Sequence, residues 1–139
     1  MSITTTTHLN FRGTARAALE LYQSVFGGDL TAVTYADAHA VTDPAEADQI
    51  MWAQLVSPQG FRVMAYDVPS HTAYDPGTNP VFVSVRGNDA EEITRYFTAL
   101  ADGADVIVPV GPAAWAPLYG MLRDRFGVTW VFDIEVAWG

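Results

Sequence analysis

At 139 residues, half of them hydrophobic, the chain is long enough for one domain with a substantial core. A formal charge of −9 with only seven basic residues, all arginine, works against phosphate backbones and anionic lipid, so neither a nucleic acid nor a membrane surface is an expected partner. The absence of cysteine excludes disulfides, thiolate metal sites and a thiol nucleophile, and the lack of a signal-peptide pattern or a membrane-length apolar run makes the cytoplasm the expected location.

The first element is a strand: Leu9-Asn10-Phe11-Arg12-Gly13 alternates apolar with polar and ends in a turn. A helix capped by Thr14 follows, with Ala18, Leu21, Tyr22 and Val25 at the spacing of one apolar face, and it ends at Gly27-Gly28. Three strands come next, over residues 30–36, 50–56 and 61–68, with extra loop residues within 37–48. The run 69–79, holding Pro69, Ser70, Pro76, Gly77 and Asn79, has the composition of a linker. Val83-Ser84-Val85-Arg86-Gly87 then repeats the opening strand. The second helix is capped by Asn88 or Asp89, and Glu92 stands where a capping box would place it. It carries Ile93, Tyr96, Phe97 and Leu100 on one face and ends at Gly103. Strands over 105–110, 118–124 and 128–137 complete the chain.

The two halves are copies. A shift of 74 superposes the first strands, 75 the helices, and 67 the final hairpins, where Gly60 falls on Gly127. The fold class is therefore α+β, with two tandem βαβββ modules whose mixed, curved sheets are expected to enclose a cleft; the alternative is a mixed face left open to solvent. Residues 1–139 read as a single domain, with module one at 1–68, a linker at 69–79 and module two at 80–139.

Alternation along a strand assigns faces. Leu9 and Phe11 face the helix, leaving His8, Asn10 and Arg12 on the other side; Val83 and Val85 leave Phe82, Ser84 and Arg86. By the same parity Trp52, Gln54, Met64, Tyr66, Tyr119, Met121, Arg123, Asp133 and Glu135 join the second set. Aromatic walls with a few polar groups suit a small organic ligand. The expected ligand-binding residues are His8, Asn10, Trp52, Met64, Tyr66, Phe82, Tyr119, Met121, Arg123 and Asp133.

The run Leu21-Tyr22-Gln23-Ser24-Val25-Phe26-Gly27-Gly28 resembles the first helix of PhnB-like proteins in the vicinal oxygen chelate superfamily, alongside glyoxalase I and bleomycin-resistance proteins. The stretch from Trp115 to Trp130, with Leu118-Tyr119-Gly120-Met121 and Phe126-Gly127-Val128-Thr129, resembles the C-terminal signature of the same branch. The resemblance covers nearly the whole chain and implies paired βαβββ modules and a homodimer. Metal-dependent members of the superfamily place four ligands at positions that fall here on His8, Phe82, Met64 and Val131. Only His8 among these donates well to a hard or borderline cation, so no metal site of that kind and no cofactor are expected. A displaced site pairing His8 with Asp133 or Glu135 is the alternative.

The expected function is binding of a small organic molecule in the cleft without a metal. A glyoxalase-, lyase- or dioxygenase-type enzyme centred on His8, with Asp133 and Glu135 as further catalytic candidates, is the competing reading. The carboxylates have a structural alternative, pairing with Arg12, Arg62, Arg86 or Arg123. His39 and His71 fall in loops and read as solvent-exposed, and Trp115 as core or cleft wall. No glycine-rich phosphate loop or nucleophile elbow is present.

Overall fold

The computed structural model describes residues 3–135. The chain divides into two compact units, Met1–Pro76 and Gly77–Gly139. No helix among the described residues is long and apolar enough to cross a membrane.

In the first unit β1 (Thr7–Phe11) leads into α1 (Ala15–Phe26), followed by β2 (Asp29–Thr34), β3 (Ile50–Val56) and β4 (Arg62–Asp67). The sheet order is β1-β4-β3-β2, with β1 parallel to β4 and the other pairs antiparallel. The helix buries Ala15, Ala18, Leu19, Tyr22 and Phe26 against Leu9, Ala53, Leu55, Val63 and Ala65 of the sheet. This stripe is rotated from the expected one: Leu21 and Val25 are only half-buried, and Leu19 and Phe26 take the inner places. Phe26 is drawn inward because its ring stacks on Phe61, with centroids 4.0 Å apart. Gly27, with φ at +75°, then turns the chain out of the helix.

Thr14 precedes α1 but makes no side-chain cap. The cap comes from β4, where Asp67 Oδ1 accepts from the N–H groups of Gly13 (2.7 Å) and Ala15 (3.0 Å). Its Oδ2 accepts from the Ile50 N–H at 2.9 Å, and its carbonyl accepts from the Tyr35 hydroxyl. A carboxylate this buried is tolerable only with its lone pairs engaged. β2 ends at Thr34, short of the expected residue 36, because its register with β3 shifts between Val33 and Thr34 and the chain turns over 35–39.

The second unit repeats the order: β5 (Phe82–Gly87), α2 (Ala90–Ala101), β6 (Asp105–Ala113), β7 (Ala116–Arg123) and β8 (Thr129–Ile134), in the sheet order β5-β8-β7-β6. The expected end of the last strand at 137 lies outside the described residues. Ile93, Phe97 and Leu100 pack α2 on Leu122, Trp130 and Phe132. Asp89 caps it, accepting from the N–H groups of Glu91 and Glu92, while the Glu92 carboxylate takes the Tyr96 hydroxyl instead of closing a capping box. β6 runs to Ala113, past the expected residue 110, and pairs with β7 through a tight turn at 114–115. Pro109 and Pro112 leave this outer strand with missing donors, which discourages further pairing along it.

The hairpins superpose at the expected shift of 67, but the first strands do not pair in the register that the sequence repeat suggests. His8 lies opposite Met64, whereas Val131, the hairpin equivalent of Met64, lies opposite Ser84. Phe82 lies opposite Thr129. The backbone bonds past the strand ends agree, since the N–H of Val68 reaches the carbonyl of Phe11 and that of Glu135 reaches Gly87. By pairing, the equivalence between β1 and β5 is a shift of 76. His8, Phe82, Met64 and Val131 are therefore not equivalent positions; Ser84 takes the place expected for Phe82. The same offset puts Ile134 where Asp67 stands in the first unit, so α2 has no carboxylate from its sheet and depends on Asp89.

Candidate functional site

Each sheet has one face under its helix and one that is not. On the first sheet the second face carries two adjacent rows. His8 and Met64 are neighbours, with Gln54 beyond Met64 and Thr31 beyond Gln54. Asn10 and Tyr66 are neighbours one step along, and Trp52 lies two residues from Gln54 on the same face, opposite Val33. Trp52, Gln54, Met64 and Tyr66 are half-buried, and His8 and Asn10 are exposed. His8 Nδ1 meets Asn10 Oδ1 at 2.9 Å, and the Tyr66 ring stands edge-on to the imidazole at 5.4 Å. The tautomer that donates from Nδ1 to this amide oxygen has Nε2 as its acceptor nitrogen.

Arg12, on this face by parity, serves the backbone. Its guanidinium donates to the carbonyls of Val68, Pro69 and Thr72 and lies over the Tyr74 ring, whose hydroxyl donates to the Asn10 carbonyl. The segment after β4 is thereby fastened along β1.

The second sheet carries three rows on the corresponding face. Phe82, Thr129, Arg123 and Asp105 form one; Ser84, Val131, Met121 and Val108 the next; Arg86, Asp133, Tyr119 and Gly111 the third. Arg86 Nε donates to Asp133 Oδ1 at 3.0 Å, so this carboxylate takes the ion-pair role. Arg123 donates to Asn79 Oδ1. Glu135 is exposed just past β8. Trp115 is not core: at 58% exposure it stands on the β6–β7 turn, edge-on to Tyr119 at 5.1 Å.

The structure thus places His8, Asn10, Trp52, Met64 and Tyr66 on one face of the first sheet, and Phe82, Tyr119, Met121, Arg123 and Asp133 on one face of the second. Ser84 and Thr129 share that face; the register offset changes only their neighbours, setting Ser84 beside Val131 and Thr129 beside Phe82.

The residues do not fit a divalent ion. Among the described residues no three of His, Asp and Glu come together. His8 has a thioether, an amide and a phenol around it, while the row containing Ser84 offers one hydroxyl and hydrocarbon. Hard and borderline cations need several oxygen or nitrogen donors at once. Nor are the helix starts open to an anionic group, since Asp67 and Asp89 occupy them and Glu91 and Glu92 add charge at α2.

The family described as 3-demethylubiquinone-9 3-methyltransferase matches residues 3–132. The chain belongs to that family, the PhnB-like branch of the vicinal oxygen chelate superfamily. The crystal structure of protein PA1353 from Pseudomonas aeruginosa is 36% identical, with a TM-score of 0.83 over 96% of this chain and 98% of that one. A PhnB protein from Bacillus cereus, 22% identical, shares the fold with a TM-score of 0.73 over 96% of this chain and all of its own. A glyoxalase/bleomycin resistance/dioxygenase domain from Frankia sp. EAN1pec, 15% identical, does so with a TM-score of 0.64 over 98% of this chain and 99% of that one. No curated protein matches. The PhnB-like family thus accounts for the two βαβββ units and the two four-stranded mixed sheets.

Proposed function

We propose that this PhnB-like protein binds a small organic molecule on the mixed faces of its sheets without a metal ion. The observation that carries this reading is the grouping of Trp52, Met64 and Tyr66, all half-buried, with the polar heads of His8, Asn10 and Gln54 on one sheet face. Apolar bodies with a few oriented donors and acceptors are what a small ligand uses. Acidity argues against nucleic acid and membrane as partners, and the family likeness favours a homodimer in the cytoplasm.

The test is a thermal-shift screen of planar compounds, with the bound compound recovered and identified afterwards. Expected are a raised melting temperature, an unchanged compound, and loss of the shift in Trp52→Ala. A stoichiometric divalent ion in protein purified without chelator, lost in His8→Ala, would overturn the reading.

An acid/base enzyme centred on His8 is the second reading. It is favoured by the Nδ1 contact to Asn10, which orients the ring and leaves Nε2 to take a proton. A chemically altered compound after incubation, and none with His8→Ala, would establish it. The family's description names a methyl transfer; the turns into α1 and α2 lack a glycine-rich binding loop, and both helix starts are occupied by carboxylates. Methyl transfer from a sulfonium donor to a phenol is accordingly expected to be absent.

A further inference from the structure

Arg123 is a half-buried charge of the second sheet with no ion pair among the described residues. It is half-buried on β7, and among the described residues its guanidinium has one partner, the neutral side-chain oxygen of Asn79 at 2.6 Å. The two ion pairs among those residues, Arg86–Asp133 and Arg125–Asp102, do not include it. Asp105 pairs with Arg123 across the ladder but is exposed and forms no ion pair with it.

A half-buried cation held by a neutral acceptor keeps most of its capacity to bind an anion. Asn79, which holds it, has φ at +54°, in the left-handed region that asparagine enters more readily than other non-glycine residues. Two strands away in the same row stands Phe82, 46% exposed and on the same face. Adjacent strands lie roughly 4.8 Å apart, so the backbones of Phe82 and Arg123 are about 10 Å apart. A fused aromatic ring bearing a carboxylate spans the gap between an aromatic face and a guanidinium fork.

We propose that Arg123, Asn79 and Phe82 form a subsite for a planar aromatic carboxylate on the second sheet. The carboxylate accepts from the Arg123 guanidinium, whose planar donors suit it, and the ring packs on Phe82. The chain's overall negative charge does not decide the matter, because charges farther than a Debye length are screened at physiological salt. This inference rests on the reading of the mixed faces as ligand surfaces and adds the sign of the ligand's charge.

Calorimetric titration with 2-naphthoate, its neutral amide and naphthylmethylammonium tests it. The carboxylate is expected to bind about tenfold or more tightly than either analogue, as for a hydrogen-bonded charge pair. Arg123→Gln should remove that preference and Phe82→Ala should weaken all three probes. Asp105→Asn, which removes a competing carboxylate, should tighten naphthoate binding. Arg16→Gln, an equal charge change on α1, should leave it unaltered. Equal affinity for carboxylate and amide, or full affinity in Arg123→Gln with unchanged melting temperature, would overturn the proposal while leaving small-molecule binding standing. Binding by none of the probes would overturn this proposal, whereas the broader reading fails only if the wider compound screen is also empty.

Discussion

The Asp67 carboxylate accepts the N–H of Ala15 at 3.0 Å, so the last residue of β4 closes a helix that began fifty-two positions earlier in the chain. The same side chain holds Gly13 and Ile50, fixing β1, α1, β3 and β4 relative to one another. Asp67→Ala removes the acceptor of three donors, two of them buried, and should cost about 2–4 kcal/mol in urea denaturation. Thr14→Ala, at the position that looks like the cap, should cost under about 0.5 kcal/mol. Equal losses in the two variants would contradict the assignment.

Tyr35 is buried, and this raises its hydroxyl above the ordinary tyrosine value; the nearby charges of Tyr66, Asp67 and Glu46 add to the effect. The folded state therefore keeps a proton that the unfolded state releases from about pH 10 upward. Its contribution to stability is complete below that pH and is lost as pH rises through the folded-state value. Denaturation midpoints between pH 8 and pH 11 should fall more steeply for the wild type than for Tyr35→Phe. Parallel profiles would show that Tyr35 is not the group responsible.

Gly120 of β7 lies under α2. A Cβ there would come within 2.9 Å of the Phe97 ring and 3.0 Å of the Val110 backbone. Gly120→Ala should destabilise by about 1–3 kcal/mol, as for overpacking in a core. Gly60→Ala tests a different cost, since nothing crowds it and only its φ of +100° opposes a side chain. Phe97→Leu should recover part of the loss at Gly120 and none at Gly60, a double-variant comparison read from melting temperatures.

Trp130 is fully buried and donates from Nε1 to Asp124 Oδ2 at 2.9 Å, while Oδ1 organises the β7–β8 turn through Phe126 and Val128. Asp124→Ala should cost about 2–4 kcal/mol, more than Trp130→Phe, because it leaves three donors unmet. The emission of Trp130, isolated from the other three tryptophans by difference against Trp130→Phe, provides an independent readout of the lost bond.

Much of the fold was legible in the sequence. Alternation and helical spacing located both helices and the eight strands, and the faces of β1, β3, β4, β5, β7 and β8, because these depend on near neighbours. The cap on α1 was not legible, since its donor of charge lies far along the chain and Thr14 offers a plausible local substitute. The inner stripe of α1 differs from the expected one because Leu19 and Leu21 are equally apolar, and packing against the distant strands, not helical spacing, selects Leu19 and Phe26. The register of β5 against β8 was missed for a related reason. A parallel pair joined through a helix and two further strands has no turn to fix it, and a slide by two preserves every face. The candidate site was accordingly legible as a set of side chains but not as a set of neighbours.

The two-residue slide also matters to anyone who would rebuild chemistry on this scaffold. Duplication hands down a residue's rank along its strand, yet cross-strand company depends on how the copies later settle. A histidine transplanted to Phe82, as sequence symmetry with His8 would advise, would sit beside Thr129; only at Ser84 would it gain the companion that Met64 provides in the first copy.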